Sequence, residues 1–481
     1  MIAILILASA LILIFQAVVG GTFFVSSIRE KEHRAALLGG LQFLVMLAAV
    51  VVFGHLYAMG LLEEGNCRML LVCIVAYGGL LFLTLVMKWG SNPRARAGTE
   101  GSIAGEVQRF DERETVFARD QLQPDTDEYK TFYQAHPEYE KRDTERRTKG
   151  GVFGSGGGGD SPHEASNKAV LGSQYLFPYL LSTPDRLKPK GFMPPGGERP
   201  VYPPEEATTR IKGYARSIGA DLVGVTKINP LWVYSHRGMG SRRDEEKWGQ
   251  QITVTHPYVV VFATEMTYEM VRSAPRSGST VETMRNYSQG AIISTMLASY
   301  IANLGYGASA QHVSHYDVLL VPMAVDAGLG ELGRHGYLMT KELGPRLRLA
   351  AVTTDMPLVP DKPADIGVQD FCRICKKCAV CCPSGSIPMG DAEPSGGTRR
   401  WKLNADSCHD YWGKIGSDCN ICMRVCPWSH KRTFPHRLIT ESVSRNMISR
   451  RFFTRMDDVF YGKNPGPGDP PRWAHFRQWD E

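Results

Sequence analysis

Nine of the 11 cysteines in this chain lie between Cys372 and Cys426, and their spacing constrains the fold more than any other feature. Cys372, Cys375, Cys378 and Cys382, followed by Pro383, spell C-x2-C-x2-C-x3-C-P, the bacterial ferredoxin run whose fourth cysteine ligates the other cluster. Cys419, Cys422 and Cys426, followed by Pro427, add C-x2-C-x3-C-P, with Cys408 upstream. Cross-ligation then assigns Cys372, Cys375, Cys378 and Cys426 to one [4Fe-4S] cluster and Cys382, Cys408, Cys419 and Cys422 to a second. The short spacings let consecutive thiolates converge on one face of a cubane. A zinc ribbon of two CxxC pairs would leave Cys382 and Cys408 without a role. Cys381 reads as a small buried residue. A disulfide framework is excluded as the first reading, because 481 residues with 43% hydrophobic content can bury a core without one.

Three apolar stretches open the chain, Ile2 to Val25, Ala36 to Leu62 and Met69 to Met87, with no Lys, Arg, Asp or Glu inside any of them. Each is near the roughly 20 residues that cross a bilayer core, and three in series read as a helical membrane anchor rather than a cleaved signal. Arg29, Lys31 and Arg34 lie in the first loop, Arg68 alone in the second, and Lys88, Arg94 and Arg96 after the third span. Lys and Arg favour the cytoplasmic side, so the first loop and everything after residue 90 are expected there, at a cell inner membrane. No twin-arginine motif sits near the N-terminus; Arg450 and Arg451 in SRRFF resemble one, but their C-terminal position makes the match meaningless.

Residues 91–200 are polar and rich in Gly and Pro, and read as linker and extension, with a flexible tether at Gly150 to Pro162. Helices are expected over Glu205 to Ile218 and Asn286 to Leu304, and strands over Leu222 to Ile228, Tyr258 to Met266, Val318 to Val325 and Leu347 to Thr353. Alternating strands and helices indicate an α/β sheet covered on both faces. The domain reading is therefore 1–90 anchor, 91–200 linker and extension, 201–365 α/β catalytic domain, 366–440 ferredoxin-like module and 441–481 a tail packing on the core. With 55 basic against 49 acidic residues and no basic block, a nucleic-acid partner is not expected.

GLGELG (Gly328 to Gly333) matches a dinucleotide fingerprint, but Pro322 interrupts the preceding run and Arg334, His335 and Gly336 follow in place of an apolar helix face. A glycine-rich loop approaching another large cofactor is the better reading. The segments beginning GYARSIGADLVGVTKI (Gly213), YSQGAIISTMLASYIANLGYG (Tyr287) and AGLGELGRHGYLMTKELGPRLRL (Ala327), followed by the double cluster motif, closely resemble the cobalamin-dependent reductive dehalogenases over about residues 200 to 440. The chain is more distantly similar to epoxyqueuosine reductase, a tRNA-modifying relative. The resemblance implies a nitroreductase-like core that binds cobalamin base-off, and the chain has no D-x-H-x-x-G motif for a cobalt ligand. It implies a tyrosine proton donor partnered by a later Arg or Lys, the places best matched by Tyr287 and Arg346, with Arg348 as the alternative. His312, Gly328, Gly330 and Gly333 are the expected cofactor contacts.

Chemistry supports such a pair. Tyrosine, with a pKa near 10, is a neutral acid at pH 7, and a neighbouring cation stabilises the tyrosinate left after donation. The implied activity is removal of halide from an organohalide, an aromatic or phenol, using two electrons and one proton. Electrons are expected from ferredoxin, flavodoxin or a membrane quinol, since only 55 residues follow Cys426 and leave no room for a C-terminal flavin module. Respiratory members of the family carry a twin-arginine signal and rely on a separate small membrane protein; here the anchor is expected to be fused. The competing readings are an epoxyqueuosine-reductase-like tRNA-modifying enzyme and a membrane-anchored iron-sulfur electron-transfer subunit.

Overall fold

Uninterrupted apolar sequence forms three long N-terminal helices, α1 (Ile2–Arg29), α2 (His33–Ala58) and α3 (Gly65–Val86). The computed structural model that contains them describes residues 2–63, 65–148, 173, 200–238, 248–313 and 315–474. It divides into two units. The first comprises Met1–Asn92, Ile366–Cys375 and His430–Gly466, and the second Pro93–Asp365, Lys376–Ser429 and Pro467–Glu481. The expected tether at 150–162 lies outside the described residues.

In the first unit, small residues let the helices approach closely. Gly39 and Gly40 of α2 face Phe23 and Phe24 of α1, and Gly20 and Gly21 of α1 face Phe43 of α2. A Cβ at Gly39 would stand 2.7 Å from the Phe23 ring, which is why a glycine is needed there. Outward side chains such as Leu37 and Leu80 are 74% and 63% exposed. All three helices are long and apolar enough to cross a membrane.

Two C-terminal helices, Phe434–Arg445 and Met447–Tyr461, pack against these apolar helices. Ser442 and Asn446 donate side-chain hydrogen bonds to the Thr84 carbonyl, and the Phe23 ring meets His436 and Phe460 edge-on. Of the segment read as a tail on the core, the part up to Gly466 belongs with these apolar helices, and the part from Pro467 belongs to the second unit. Arg450, of the apparent twin-arginine pair, is buried. It donates to the Val443 and Ser444 carbonyls and to Asp370, which ties down the helix Val368–Cys375.

The second unit is built on a four-stranded antiparallel sheet in the order β1 (Leu222–Lys227), β2 (Tyr258–Glu265), β6 (Leu347–Thr354), β3 (Ala308–Gln311). A short pair, β4 (Glu331–Leu332) and β5 (Leu338–Met339), stands apart. Side chains alternate across the sheet. Val225, Val260, Phe262 and Val352 face α4 (Pro204–Ser217) and α5 (Ser277–Asn303), where they meet Ile211, Ile293, Leu297 and Ile301. Val259, Val261, Ala263 and Ala351 face the other way, against Trp232, Met323 and Ala324. Each of the large apolar side chains buried here contributes about 1.5–3 kcal/mol, so the expected two-sided burial is what holds the sheet.

Three boundaries depart from the sequence reading. Val318 to Val325, expected as a strand, contains instead the helix α6 (Leu320–Asp326). Pro322 falls in its first turn, where a missing N–H costs nothing, and Met323 and Ala324 turn inward. Residues 93–148 are folded rather than linker. Their helices Val116–Asp120 and Pro137–Thr148 bring buried Arg119 and Arg146 into ion pairs with Asp143 (3.1 and 2.8 Å), and Arg146 reaches Asp406 (2.9 Å) and Asp410 (2.8 Å) on the helix Ala405–Ile415. The span 366–440, expected as one module, is divided between the units after Cys375.

One titration is built into the first unit. His436 is bonded through Nδ1 to the Thr433 hydroxyl (2.7 Å) and through Nε2 to the Tyr461 hydroxyl (2.8 Å). Burial, helped by nearby His430 and opposed by Asp457, pushes its pKa down to about 3. The unfolded imidazole titrates near 6.5, so stability present above that pH is lost as pH falls toward the folded value, on the order of 2 kcal/mol between pH 7 and 5. Thermal melts in detergent at the two pH values should show this loss, and His436→Gln should flatten it; an undiminished pH dependence in the variant would count against His436 as its source.

Candidate active site

Four thiols of the second unit line one cavity. Cys382, Cys408, Cys419 and Cys422 surround it, joined by His335, Tyr337 and Asp418. They are the four cysteines that cross-ligation assigns to a single cluster. Cys408 is carried by the helix Ala405–Ile415, whose first turn is capped by the Asn404 side chain accepting from Ser407 N–H (3.1 Å). Cys422 sits on the short helix Ile421–Arg424. Cys419 and Asn420 take left-handed backbone angles, φ +63° and +52°, which cost non-glycine residues about 1–3 kcal/mol each. Asp418 offsets that strain. Its carboxylate accepts from the Thr280 (2.9 Å) and Thr283 (2.5 Å) hydroxyls of α5, and Asn420 also reaches Thr283 (3.2 Å).

Soft thiolate donors around an enclosed space suit an iron-sulfur cluster. Among the described residues, no three His, Cys, Asp or Glu side chains gather as a single-ion site. Of the other ligand set, Cys372 and Cys375 lie on the helix Val368–Cys375 of the first unit, and Cys378 and Cys426 belong to the second. Cys381 is half-buried beside Ala379, Ile387 and Val425.

The glycine-rich segment that resembled a nucleotide loop leads directly into His335 and Tyr337 of this cavity. Its glycines are crowded by the chain itself: a Cβ at Gly330 would lie 2.0 Å from the Met339 carbonyl, at Gly328 2.3 Å from that of Lys362, and at Gly333 2.7 Å from the His335 ring. Arg334 is fully buried, donates to the Pro388 (2.6 Å) and Gly390 (2.7 Å) carbonyls, and lies over the Trp401 ring. His312 is also fully buried, with Nδ1 at 3.2 Å from the Val313 carbonyl and its ring stacked on His315. These four expected cofactor contacts are thus held by internal packing.

The structure separates the two candidate cations. Arg346 precedes β6 and is buried. It donates to the Ser429 carbonyl (2.6 Å), the Met266 carbonyl (2.6 Å) and Glu265 (2.8 Å), all away from Tyr287. Arg348 is in β6, with the parity of Ala350 and Val352, and so faces α5. Gly290 permits that helix to lie close, its Cβ position being 3.2 Å from Ala350. One turn earlier, the Arg348 guanidinium lies 5.4 Å from the centre of the Tyr287 ring.

Arg348 also donates to Thr283 (2.9 Å) and stands 3.6 Å from Asp418. Burial opposes its charge, but Tyr287 and Asp418 outweigh that and hold its pKa above the ordinary value. Tyr287 is half-buried, and its hydroxyl forms no hydrogen bond among the described residues. The pair brought together is therefore Tyr287 with Arg348, connected through Asp418 to the wall of the thiol cavity. Asp418, Thr283, Tyr337 and His335 were not singled out from sequence. Only the position of Asp418 beside Cys419 hinted at a role.

Parts of this chain are similar to known proteins. A model of the 4Fe-4S dicluster domain matches residues 371–430. The tetrachloroethene reductive dehalogenase of Dehalobacter restrictus is 33% identical over 312 residues, covering 55% of this chain and 55% of that protein. That of Sulfurospirillum multivorans is 33% identical over 292 residues, covering 54% and 58%. The chain thus spans little more than half the length of these curated relatives. The solved catabolic reductive dehalogenase NpRdhA in complex with 3-bromo-4-hydroxybenzoic acid shares the fold, with TM-score 0.58, 24% identity and coverage of 79% of this chain and 49% of that one. Over 55% of its length the chain is thus similar in sequence to a curated reductive dehalogenase, and its fold is that of a solved one.

Proposed function

We propose that this chain is a membrane-anchored oxidoreductase that removes halide from an organohalide, with its catalytic unit on the cytoplasmic face of the inner membrane. The observation that carries the reading is the Arg348 guanidinium over the Tyr287 ring, with Arg348 also reaching Asp418 in the wall of a cavity lined by four thiols. Cys382, Cys408, Cys419 and Cys422 would hold the cluster nearest this pair, and Cys372, Cys375, Cys378 and Cys426 the cluster that takes in electrons from a ferredoxin, flavodoxin or membrane quinol. Base-off cobalamin, when bound, supplies the low-potential two-electron chemistry that breaks the carbon–halogen bond.

The chain's own residues supply the proton. Tyr287 donates it to the product carbon, and Arg348 stabilises the resulting tyrosinate in a site where burial amplifies the charge interaction. The balance is one organohalide, two electrons and one proton giving one carbon–hydrogen bond and one halide ion. Arg346 has a structural part, since its acceptors tie the loop before β6 to the end of β2 at Glu265 and Met266 and to Ser429 at the end of the cysteine module.

Anaerobic reconstitution with iron, sulfide and cobalamin, followed by halide release from halogenated phenols and from tetrachloroethene, tests the activity; we place the aromatic substrates first. Tyr287→Phe should reduce turnover at least 100-fold while iron and corrinoid content stay unchanged, and retained turnover would remove the proton-donor assignment. Arg348→Met should likewise slow turnover with little change in melting temperature. Arg346→Met should instead destabilise the fold by about 2–4 kcal/mol, because two buried carbonyls lose their donor. The reverse pattern in those two variants would return the catalytic part to Arg346. Absence of bound corrinoid with both clusters intact would favour the electron-transfer subunit.

A further inference from the structure

The wall of the thiol cavity contains one polar side chain with no protein partner for its outer atom. His335 is 2% exposed. Its Nδ1 accepts from the Tyr337 backbone N–H at 3.2 Å, so the neutral ring carries its proton on Nε2. That Nε2 is buried with no hydrogen-bond partner among the described residues. An orphaned buried N–H costs about 1–3 kcal/mol unless something outside the protein part accepts from it.

The residue is held firmly in this state. Arg334 anchors the preceding position to the Pro388 and Gly390 carbonyls, Gly333 leaves room for the imidazole edge, and Tyr337 packs against the ring with centroids 5.2 Å apart. Both His335 and Tyr337 line the cavity that Cys382, Cys408, Cys419 and Cys422 surround.

We infer that His335 Nε2–H donates a hydrogen bond to a sulfur of the cluster held by these four cysteines and thereby sets its reduction potential. The inference rests on the iron-sulfur reading of the cavity. Adding an electron makes the cluster one unit more negative, and a fixed donor stabilises that added charge, so the donor favours the reduced form. His335 acts through the cluster and touches no substrate; it is a positioning residue for electron flow.

Full-length protein, anaerobically reconstituted with iron and sulfide and free of substrate, provides the test. Redox titration followed by electron paramagnetic resonance should show this cluster becoming harder to reduce in His335→Leu, by at least threefold in the reduced-to-oxidised ratio at a fixed potential. His335→Gln, which keeps an amide donor at the same reach, should restore most of the shift, whereas a merely structural role would not distinguish the two. Should the Leu variant fail to fold, pulsed resonance on 15N-histidine-labelled wild-type protein gives the answer, with a weak 15N coupling expected that disappears in His335→Gln. An unchanged potential in a folded Leu variant, or no 15N coupling in the wild type, overturns the inference. A wild-type protein whose iron content and signal do not change on Cys408→Ser overturns the cluster reading itself, and the two failures are told apart by iron content.

Discussion

The Asp418 carboxylate is the contact on which the second unit depends, because helix, sheet and cysteine loop meet at it. It is 4% exposed, and a buried carboxylate survives only where donors and cations surround it. Thr280 and Thr283 supply the donors from the long helix, and Arg348 supplies the cation from the sheet. The same carboxylate precedes the left-handed turn at Cys419 and Asn420. One buried charge therefore fixes the distance between helix, sheet and cysteine loop, and with it the placement of the tyrosine relative to the thiols. Removing a partner from such a group costs far more than the pair contributes in the intact fold, because the remaining charge stays buried.

The grouping of Cys382, Cys408, Cys419 and Cys422 around one cavity was legible because its information is local: spacing along the chain limits which thiols can meet. The three apolar helices were legible for a similar reason, since an uncharged run of that length leaves few alternatives. The partner of Tyr287 was not. Choosing between Arg346 and Arg348 requires the strand's parity and its pairing of Thr264 with Arg348, and neither can be read from one segment alone. Val318 to Val325 misled for a related reason, because a short apolar run serves a buried strand and a buried helix equally well. The folded extension at 93–148 was hidden by its polarity: its stability comes from Arg119 and Arg146 meeting aspartates more than 250 residues away on the helix of Cys408.

The glycine-rich segment shows how one pattern can arise from different constraints. Nucleotide loops use glycines so that backbone can approach a phosphate. Here the backbone carbonyls of Met339 and Lys362 occupy the space a Cβ would need. Arg334 and His335, which spoiled the nucleotide reading, are the residues that join this segment to the cysteine module.

Arg450 has a consequence beyond its own helix. By gripping Asp370 and the carbonyls at the junction of the two C-terminal helices, it lays the helix bearing Cys372 and Cys375 on a platform that itself rests on the apolar N-terminal bundle. Cys372 and Cys375 therefore owe their rigid support to side chains far along the chain, and a change at Arg450 would loosen both thiols without touching either.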